Sequence, residues 1–197
     1  MTAADLNPVT CGVFLVTAFT LSGLAQTGWL AAPLSRRFAV PLDGGCTLGG
    51  RPILGAHKTV RGFLVMVPAT GLSFMLLAAL VAAGPGLPAA GLWPLTPAQY
   101  GLLGAWAALG FMAGELPNSF IKRRLGVLPG EAAAGRRLRA VFLVADRLDS
   151  TAGMLLALVA VVPVSWQIAL FVLLAGPLVH AAFSLALFVL RVKARAA

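Results

Sequence analysis

The chain has 197 residues, of which 59% are hydrophobic and only 11% are charged, and its formal net charge is +9. This composition excludes an ordinary water-soluble domain and predicts an all-α integral membrane protein, a single polytopic domain over residues 1–197. The positive charge could suggest nucleic acid, but it is distributed as membrane topology requires, so we expect no nucleic-acid partner.

Five apolar stretches are long enough, or nearly so, for the roughly 20 residues that a membrane-spanning helix needs. They cover residues 9–32, 62–83, 98–120, 142–164 and 167–190. The first stretch continues well beyond the length of a signal-peptide core, so we expect it to remain as a helix. The sequence therefore predicts a bundle of about five transmembrane helices with two large cytoplasmic loops.

The basic residues indicate the orientation in the membrane, because Lys and Arg are retained on the cytoplasmic side. Apart from Arg147, they lie between helices one and two, between helices three and four, and in the C-terminal tail at Arg191, Lys193 and Arg195. The other two connections contain none. We expect the protein to lie in the cell (inner) membrane, with the N-terminus outside and the C-terminus and active site in the cytoplasm.

The first cytoplasmic loop, residues 41–63, is too long and too rich in glycine to be a simple connector. Its glycines allow close approach of backbone N–H groups to a ligand, and Arg51, Lys58 and Arg61 supply cationic donors, a combination that suits phosphate. The alternative is a flexible connector whose charges face anionic headgroups. Asp43 and the paired glycines favour the phosphate interpretation.

The third apolar segment ends in a polar stripe. Its members are spaced i, i+3, i+4 and i+7, which places Glu115, Asn118, Ser119 and Lys122 on one helical face. Such a stripe inside a membrane must face protein or water. Pro117 is expected to kink or end the helix there. The basic run that begins with Lys122 and Arg123 is either a lipid-headgroup anchor or a phosphate site.

Two carboxylates mark the fourth segment. Asp146 and Asp149 are spaced i, i+3, so they project from the same helical face and repel each other unless a cation lies between them. Mg²⁺ commonly takes one or two carboxylates and completes its shell with water and phosphate oxygens. The alternative is a salt bridge to Arg147 or, across helices, to Lys122.

Taken in chain order, three motifs resemble the CDP-archaeol synthase family, which is related to the phosphatidate cytidylyltransferases. They are Asp43-Gly44 with the run from Arg51 to Gly62, the Ser-Phe-Ile-Lys-Arg-Arg run from Ser119, and Asp-Arg-Leu-Asp from Asp146. The resemblance covers nearly the whole chain. The chain departs from the family pattern at Glu115, at Val60 and in the residues just before the aspartates, which leaves the acceptor lipid open.

The resemblance implies a Mg²⁺-dependent transfer of CMP from CTP to the phosphate of a membrane lipid, either an ether-lipid phosphate or phosphatidate. It implies a site in which Lys122 and Arg123 bind phosphates and Asp146 and Asp149 bind metal. Glu115 is then a further metal ligand or a residue that orients Lys122.

The same resemblance implies a set of substrate-binding residues, which are Asp43, Lys58, Thr59, Arg61, Ser119 and Arg147. The expected partners are CTP, a lipid phosphate and the bilayer, with a homodimer possible. A lipid phosphate is already a nucleophile near neutral pH, so charge neutralisation and alignment suffice. The rival interpretations are a small transporter or channel, a non-catalytic scaffold, and a different phospholipid transferase.

Overall fold

The computed structural model describes residues 5–84 and 91–189. Within these ranges the chain is mostly helical, and all five predicted helices are present. They are α1 (Pro8–Ala31), α2 (Val60–Ala83), α3 (Pro97–Arg124), α4 (Arg136–Val159) and α5 (Trp166–Val189). The C-terminal charges Arg191, Lys193 and Arg195 and part of the connection between α2 and α3 lie outside the described residues.

Three helix boundaries differ from those expected by four residues or more, and one of them is the end of α4 at Val159 rather than at residue 164. Helix α3 continues past Pro117 to Arg124, so the helix does not end at the proline, which was one of the two outcomes expected. Helix α4 begins at Arg136 rather than at residue 142, directly after Gly135, whose φ is 88°. The extra turns at the end of α3 and at the start of α4 are rich in basic residues. A search for apolar runs cannot detect them, because they lie outside the hydrophobic stretches.

Local sequence signals explain where the helices start and stop. The Asn7 side chain accepts hydrogen bonds from the backbone N–H groups of Val9 and Thr10, which caps α1. Thr96 and Gln99 form a capping box at the start of α3. At the other end of α3, Gly126 adopts a φ of 80° that a side chain would disfavour, and the chain turns there.

The helices pack in chain order into a closed ring, in which α3 lies between α2 and α4, and α5 contacts both α1 and α4. The main apolar core lies at one end of this ring, because it combines the N-terminal halves of α1, α3 and α5 with the C-terminal halves of α2 and α4. Phe14 from α1 contacts both Phe74 of α2 and Tyr100 of α3 there. Apart from Asp5, the charged residues of the described chain lie towards the other end.

The segment between α1 and α2 has a structure of its own. A short 3₁₀ helix (Pro33–Phe38) is followed by two antiparallel two-residue strands, β1 (Thr47–Leu48) and β2 (Arg51–Pro52). Pro41 and Thr59 pair as an isolated bridge that closes the segment. We call residues 41–59 the hairpin loop.

By length and composition, three helices could cross a membrane, namely Pro8–Ala31, Val60–Ala83 and Trp166–Phe183. Helices α3 and α4, which carry the charged motifs, do not meet that criterion within the described chain.

Candidate active site

The site begins with a close crossing of α3 and α4. Gly110 and Gly114 of α3 face Gly153 of α4 so closely that a Cβ placed on Gly114 would lie 2.9 Å from the Cα of Gly153. Small residues at this spacing allow two helix backbones to touch. The crossing brings the C-terminal turns of α3 beside the aspartates of α4.

Both aspartates accept a hydrogen bond from the same nitrogen. The side-chain amide of Asn118 donates to Asp146 Oδ1 at 2.7 Å and to Asp149 Oδ2 at 2.8 Å. The two carboxylates therefore lie on one face of α4, as their spacing predicts. Asn118 was identified as part of the polar stripe, but only the structure shows that it joins the two carboxylates.

Lys122 lies one turn further along α3 and forms an ion pair with Asp146, with Nζ 2.6 Å from Oδ2. The ammonium group also lies 5.1 Å from the centre of the Phe142 ring, a cation–π contact. The lysine side chain is 17% exposed and its aspartate partner 46% exposed. The salt bridge between Asp146 and Lys122 that the sequence suggested is thus present, and Asp146 is its more solvent-exposed member.

A second set of contacts continues from Asp149. Its Oδ1 accepts from the backbone N–H of Ser150 at 2.7 Å, and the Ser150 hydroxyl donates to Glu115 Oε1 at 2.8 Å. The other oxygen of Glu115 forms an ion pair with Lys58, which precedes α2. A continuous polar chain therefore joins the hairpin loop, α3 and α4, and we call it the carboxylate network.

The Glu115 carboxylate contacts Lys58 and Ser150. Its expected role, as a further metal ligand or as a residue that orients Lys122, stays a prediction. Among the described residues, no group of three or more His, Cys, Asp or Glu side chains is placed to hold a metal ion. The three-carboxylate ligand set is therefore not assembled, and Asp146 and Asp149 remain as a pair.

A pair of carboxylates still fits Mg²⁺, since this ion often takes only one or two protein carboxylates and fills its other positions with water and phosphate. Asp146 and Asp149 both accept from the Asn118 amide, and α3 also places the Lys122 ammonium group beside Asp146. The available ligands are carboxylate oxygens, which are the hard, negatively charged ligands that Mg²⁺ prefers.

Asp43 and Arg123 take structural roles instead of the substrate contacts predicted for them. Asp43 Oδ2 accepts from the backbone N–H groups of Leu54 at 2.8 Å and Gly55 at 3.0 Å, while Oδ1 accepts from Gly45. The hydrogen bonds from Gly55 and then Leu54 hold the pKa of Asp43 below its usual value. The carboxylate thus folds the hairpin loop onto itself.

Arg123 is only 8% exposed, and its guanidinium donates to the backbone carbonyls of Leu54 and Val127. Its neighbour Arg124 donates to carbonyls of the hairpin, including that of Pro52 at 2.6 Å. These two arginines therefore attach the hairpin loop to the end of α3. The hydrogen bonds of the Arg123 guanidinium within the described chain go to these backbone carbonyls and not to the aspartates.

The remaining predicted residues lie around the carboxylate network without joining it through their side chains. Thr59 is the residue before α2, and Arg61 lies in the first turn, where its carbonyl accepts from the Trp29 indole at 3.2 Å. Ser119 is buried on α3. Arg147 has a buried guanidinium nitrogen, Nη1, that lacks a hydrogen-bond partner within the described chain. Such an orphaned donor is costly and suits an anionic guest.

Sequence comparison places these residues in a known context. The profile of a family described as CarS-like, CDP-archaeol synthase, matches residues 37–195. The chain is 38% identical over 131 residues to a CDP-archaeol synthase of Halobacterium salinarum, and the match covers 64% of this chain and 62% of that protein. It is 36% identical over 141 residues to a CDP-archaeol synthase of Hyperthermus butylicus, covering 71% and 69%. The chain thus spans somewhat less than two thirds of the Halobacterium relative.

A solved structure also resembles this one. It is described as an intramembrane enzyme for archaeal membrane lipids biosynthesis, and the two superpose with a TM-score of 0.58 at 26% identity. The superposition covers 85% of this chain and 91% of the other. The likeness therefore extends over most of both chains.

Proposed function

Because the chain belongs to the CDP-archaeol synthase family, we propose that it is a Mg²⁺-dependent cytidylyltransferase. It moves CMP from CTP to the phosphate of a membrane lipid and releases pyrophosphate. The observation that carries this proposal is the convergence of Asp146 and Asp149 beside Lys122. That arrangement would combine two ligands for a divalent cation with an ammonium group suited to phosphate.

The reaction needs no protein nucleophile. An oxygen of the lipid phosphate forms a new bond to the α-phosphorus of CTP, and the bond from that phosphorus to the bridging oxygen of the β-phosphate breaks. The electron pair leaves with pyrophosphate. Because both reactants are anions, the protein must bring them together, align them in line and balance their charge.

The residues divide this work by position. Asp146 and Asp149 would hold Mg²⁺, which when bound would neutralise charge on the triphosphate and on the leaving pyrophosphate. Lys122 lies beside Asp146 and would bind a phosphate of CTP as a point charge. Lys58, at the mouth of α2, is supported by Glu115 and would contact phosphate from the opposite side of the carboxylate network.

The lipid phosphate requires its own donor, and Arg147 is the best supported one. Its Nη1 is buried and has no hydrogen-bond partner within the described chain, as a donor kept for an anionic ligand would be. Thr59, Arg61 and Ser119 border this region and complete the proposed substrate site. The acceptor is an ether-lipid phosphate, as the name of the relatives suggests, with phosphatidate as the alternative.

The membrane arrangement belongs to the same proposal. We infer five transmembrane helices in one domain, with the N-terminus outside and the C-terminus and the carboxylate network on the cytoplasmic side of the cell membrane. The basic hairpin loop and the basic start of α4 are at the same end of the bundle as the network, which supports this orientation. CTP would then arrive from the cytoplasm and the lipid from the bilayer. A homodimer stays a prediction.

Purified protein supplied with CTP labelled at the α-phosphate, Mg²⁺ and a panel of lipid phosphates tests the activity. We expect label in the organic phase as a CDP-lipid, dependent on Mg²⁺ and strongest with an ether-lipid phosphate. Omission of the lipid phosphate and label at the γ-phosphate serve as controls, because neither should label lipid. Label that reaches lipid from the γ-phosphate, or no labelled lipid with any acceptor, would contradict the proposal.

A further inference from the structure

We propose that Asn118 is a positioning residue that holds the two carboxylates of Asp146 and Asp149 in a convergent arrangement before a divalent cation binds. This inference rests on the proposed function, because it concerns the same pair of carboxylates. It assigns the role to a residue that does not itself ligate the cation. Its basis is one amide nitrogen with a hydrogen bond to each carboxylate, at 2.7 and 2.8 Å.

The two carboxylates need such a donor because they repel each other. They lie one turn apart on α4, and side chains at this spacing are close enough for like charges to be unfavourable. Without a bridging group, each side chain could turn towards water and away from the other. Lys122 cannot prevent this, because its ion pair reaches Asp146 and not Asp149.

The chemistry of the amide suits this task better than a second cation would. The two N–H groups of an Asn side chain can serve two acceptors at once, and they carry no net charge. The carboxylates therefore keep the negative charge that attracts a divalent cation. A lysine in the same place would also gather the carboxylates, but it would repel the ion that they are meant to bind.

The backbone fixes the position of this donor. Asn118 lies one helical turn beyond Gly114, where α3 and α4 are in backbone contact. A short side chain is sufficient to span the remaining distance, and it has few rotatable bonds to restrict. On the other side, the Ser150 N–H holds the second oxygen of Asp149 at 2.7 Å, so this carboxylate is fixed from both ends. Residues that orient metal ligands in this way act from outside the ligand set.

The test measures cation binding through stability. The melting temperature of the full-length protein in detergent is titrated with Mg²⁺ after treatment with a chelator, since an ion that binds the folded state raises Tm according to its affinity. Asn118→Leu removes the donors at similar shape, and Asn118→Ala removes them without the risk of overpacking. Either variant should raise the Mg²⁺ midpoint roughly tenfold to a hundredfold. Activity should recover towards the parent value at saturating Mg²⁺, because the ion then gathers the carboxylates itself.

Thr70→Val is the matched control. The Thr70 hydroxyl is buried in α2, where it donates to Met66 O at 2.7 Å, so its loss should lower Tm equally at every Mg²⁺ concentration. A purely structural role for Asn118 would produce that same parallel shift. An unmoved Mg²⁺ midpoint in both Asn118 variants would therefore overturn the inference, as would a parent protein whose Tm does not respond to Mg²⁺.

Failure of this inference differs from failure of the proposed function. A parent that transfers CMP, together with unchanged midpoints in the variants, contradicts only the role of Asn118. A parent that transfers no CMP, together with shifted midpoints, contradicts the proposed reaction and supports the role of Asn118 at a cation site.

Discussion

Replacing Asp149 with Asn removes one charge from the aspartate pair while keeping the size of the side chain. In the structure, Oδ2 of Asp149 accepts from the Asn118 amide at 2.8 Å and Oδ1 accepts from the Ser150 N–H at 2.7 Å. An Asn offers one acceptor and one donor, so one of these two positions must place donor against donor. We expect this mismatch to cost about 1–3 kcal/mol of stability.

That cost is smaller than the total stability of a typical folded protein, about 5–15 kcal/mol, so the variant should remain folded. Relative to the parent protein, the loss of activity should be larger than the loss of stability. Loss of an outer-shell partner of a metal typically costs about tenfold to a hundredfold in activity, so loss of a ligand should cost at least about a hundredfold. This factor corresponds to about 2.7 kcal/mol of transition-state stabilisation.

The assay is the incorporation of label from α-labelled CTP into organic-phase lipid, measured for the Asp149→Asn variant over a range of Mg²⁺ concentrations. Size-exclusion elution and Tm establish that the protein is folded. Glu131→Gln removes an exposed carboxylate from the loop before α4 and should keep parent activity. A folded Asp149→Asn variant with activity comparable to the parent would show that this carboxylate is not a metal ligand, and the reasoning would fail.

Three further outcomes are expected. Lys122→Met should raise the KM for CTP roughly tenfold with a smaller change in kcat, because a charge-assisted hydrogen bond contributes about 1.5 kcal/mol; an unchanged KM in initial-rate measurements would remove this lysine from the site. Asp43→Ala should make the hairpin loop sensitive to limited proteolysis at neutral pH. Since the folded pKa of Asp43 is lowered, its contribution is complete above the ordinary aspartate pKa of about 4 and is lost as pH falls through the lower folded value, so the parent loop should open only in acid. Gly153→Leu should lower the stability by about 1–3 kcal/mol and remove most of the activity, because a Cβ there would lie 2.7 Å from the Cα of Gly114. The control variant Gly28→Leu should keep activity, because a Cβ at that position meets nothing within 4 Å. Equal Tm values for the two variants would contradict this expectation.

The sequence by itself determined the class of the protein and most of its architecture. Long apolar stretches can only be satisfied as helices, so the five helices and their order follow from composition and length. The spacing of Asp146 and Asp149 placed them on one helical face, because side-chain direction follows the helical period. The family resemblance, carried by three motifs, is likewise a property of the sequence alone.

Only the tertiary structure decided which charged residues face the carboxylates. Lys122 and Arg123 are adjacent in sequence and looked equivalent, yet one pairs with Asp146 and the other is buried against backbone carbonyls. Asp43 looked like a substrate ligand and instead folds the hairpin loop. The physical reason is that a buried donor or acceptor pairs with the nearest group that still lacks a hydrogen bond. Long-range packing, here the glycine crossing of α3 and α4, decides which group that is.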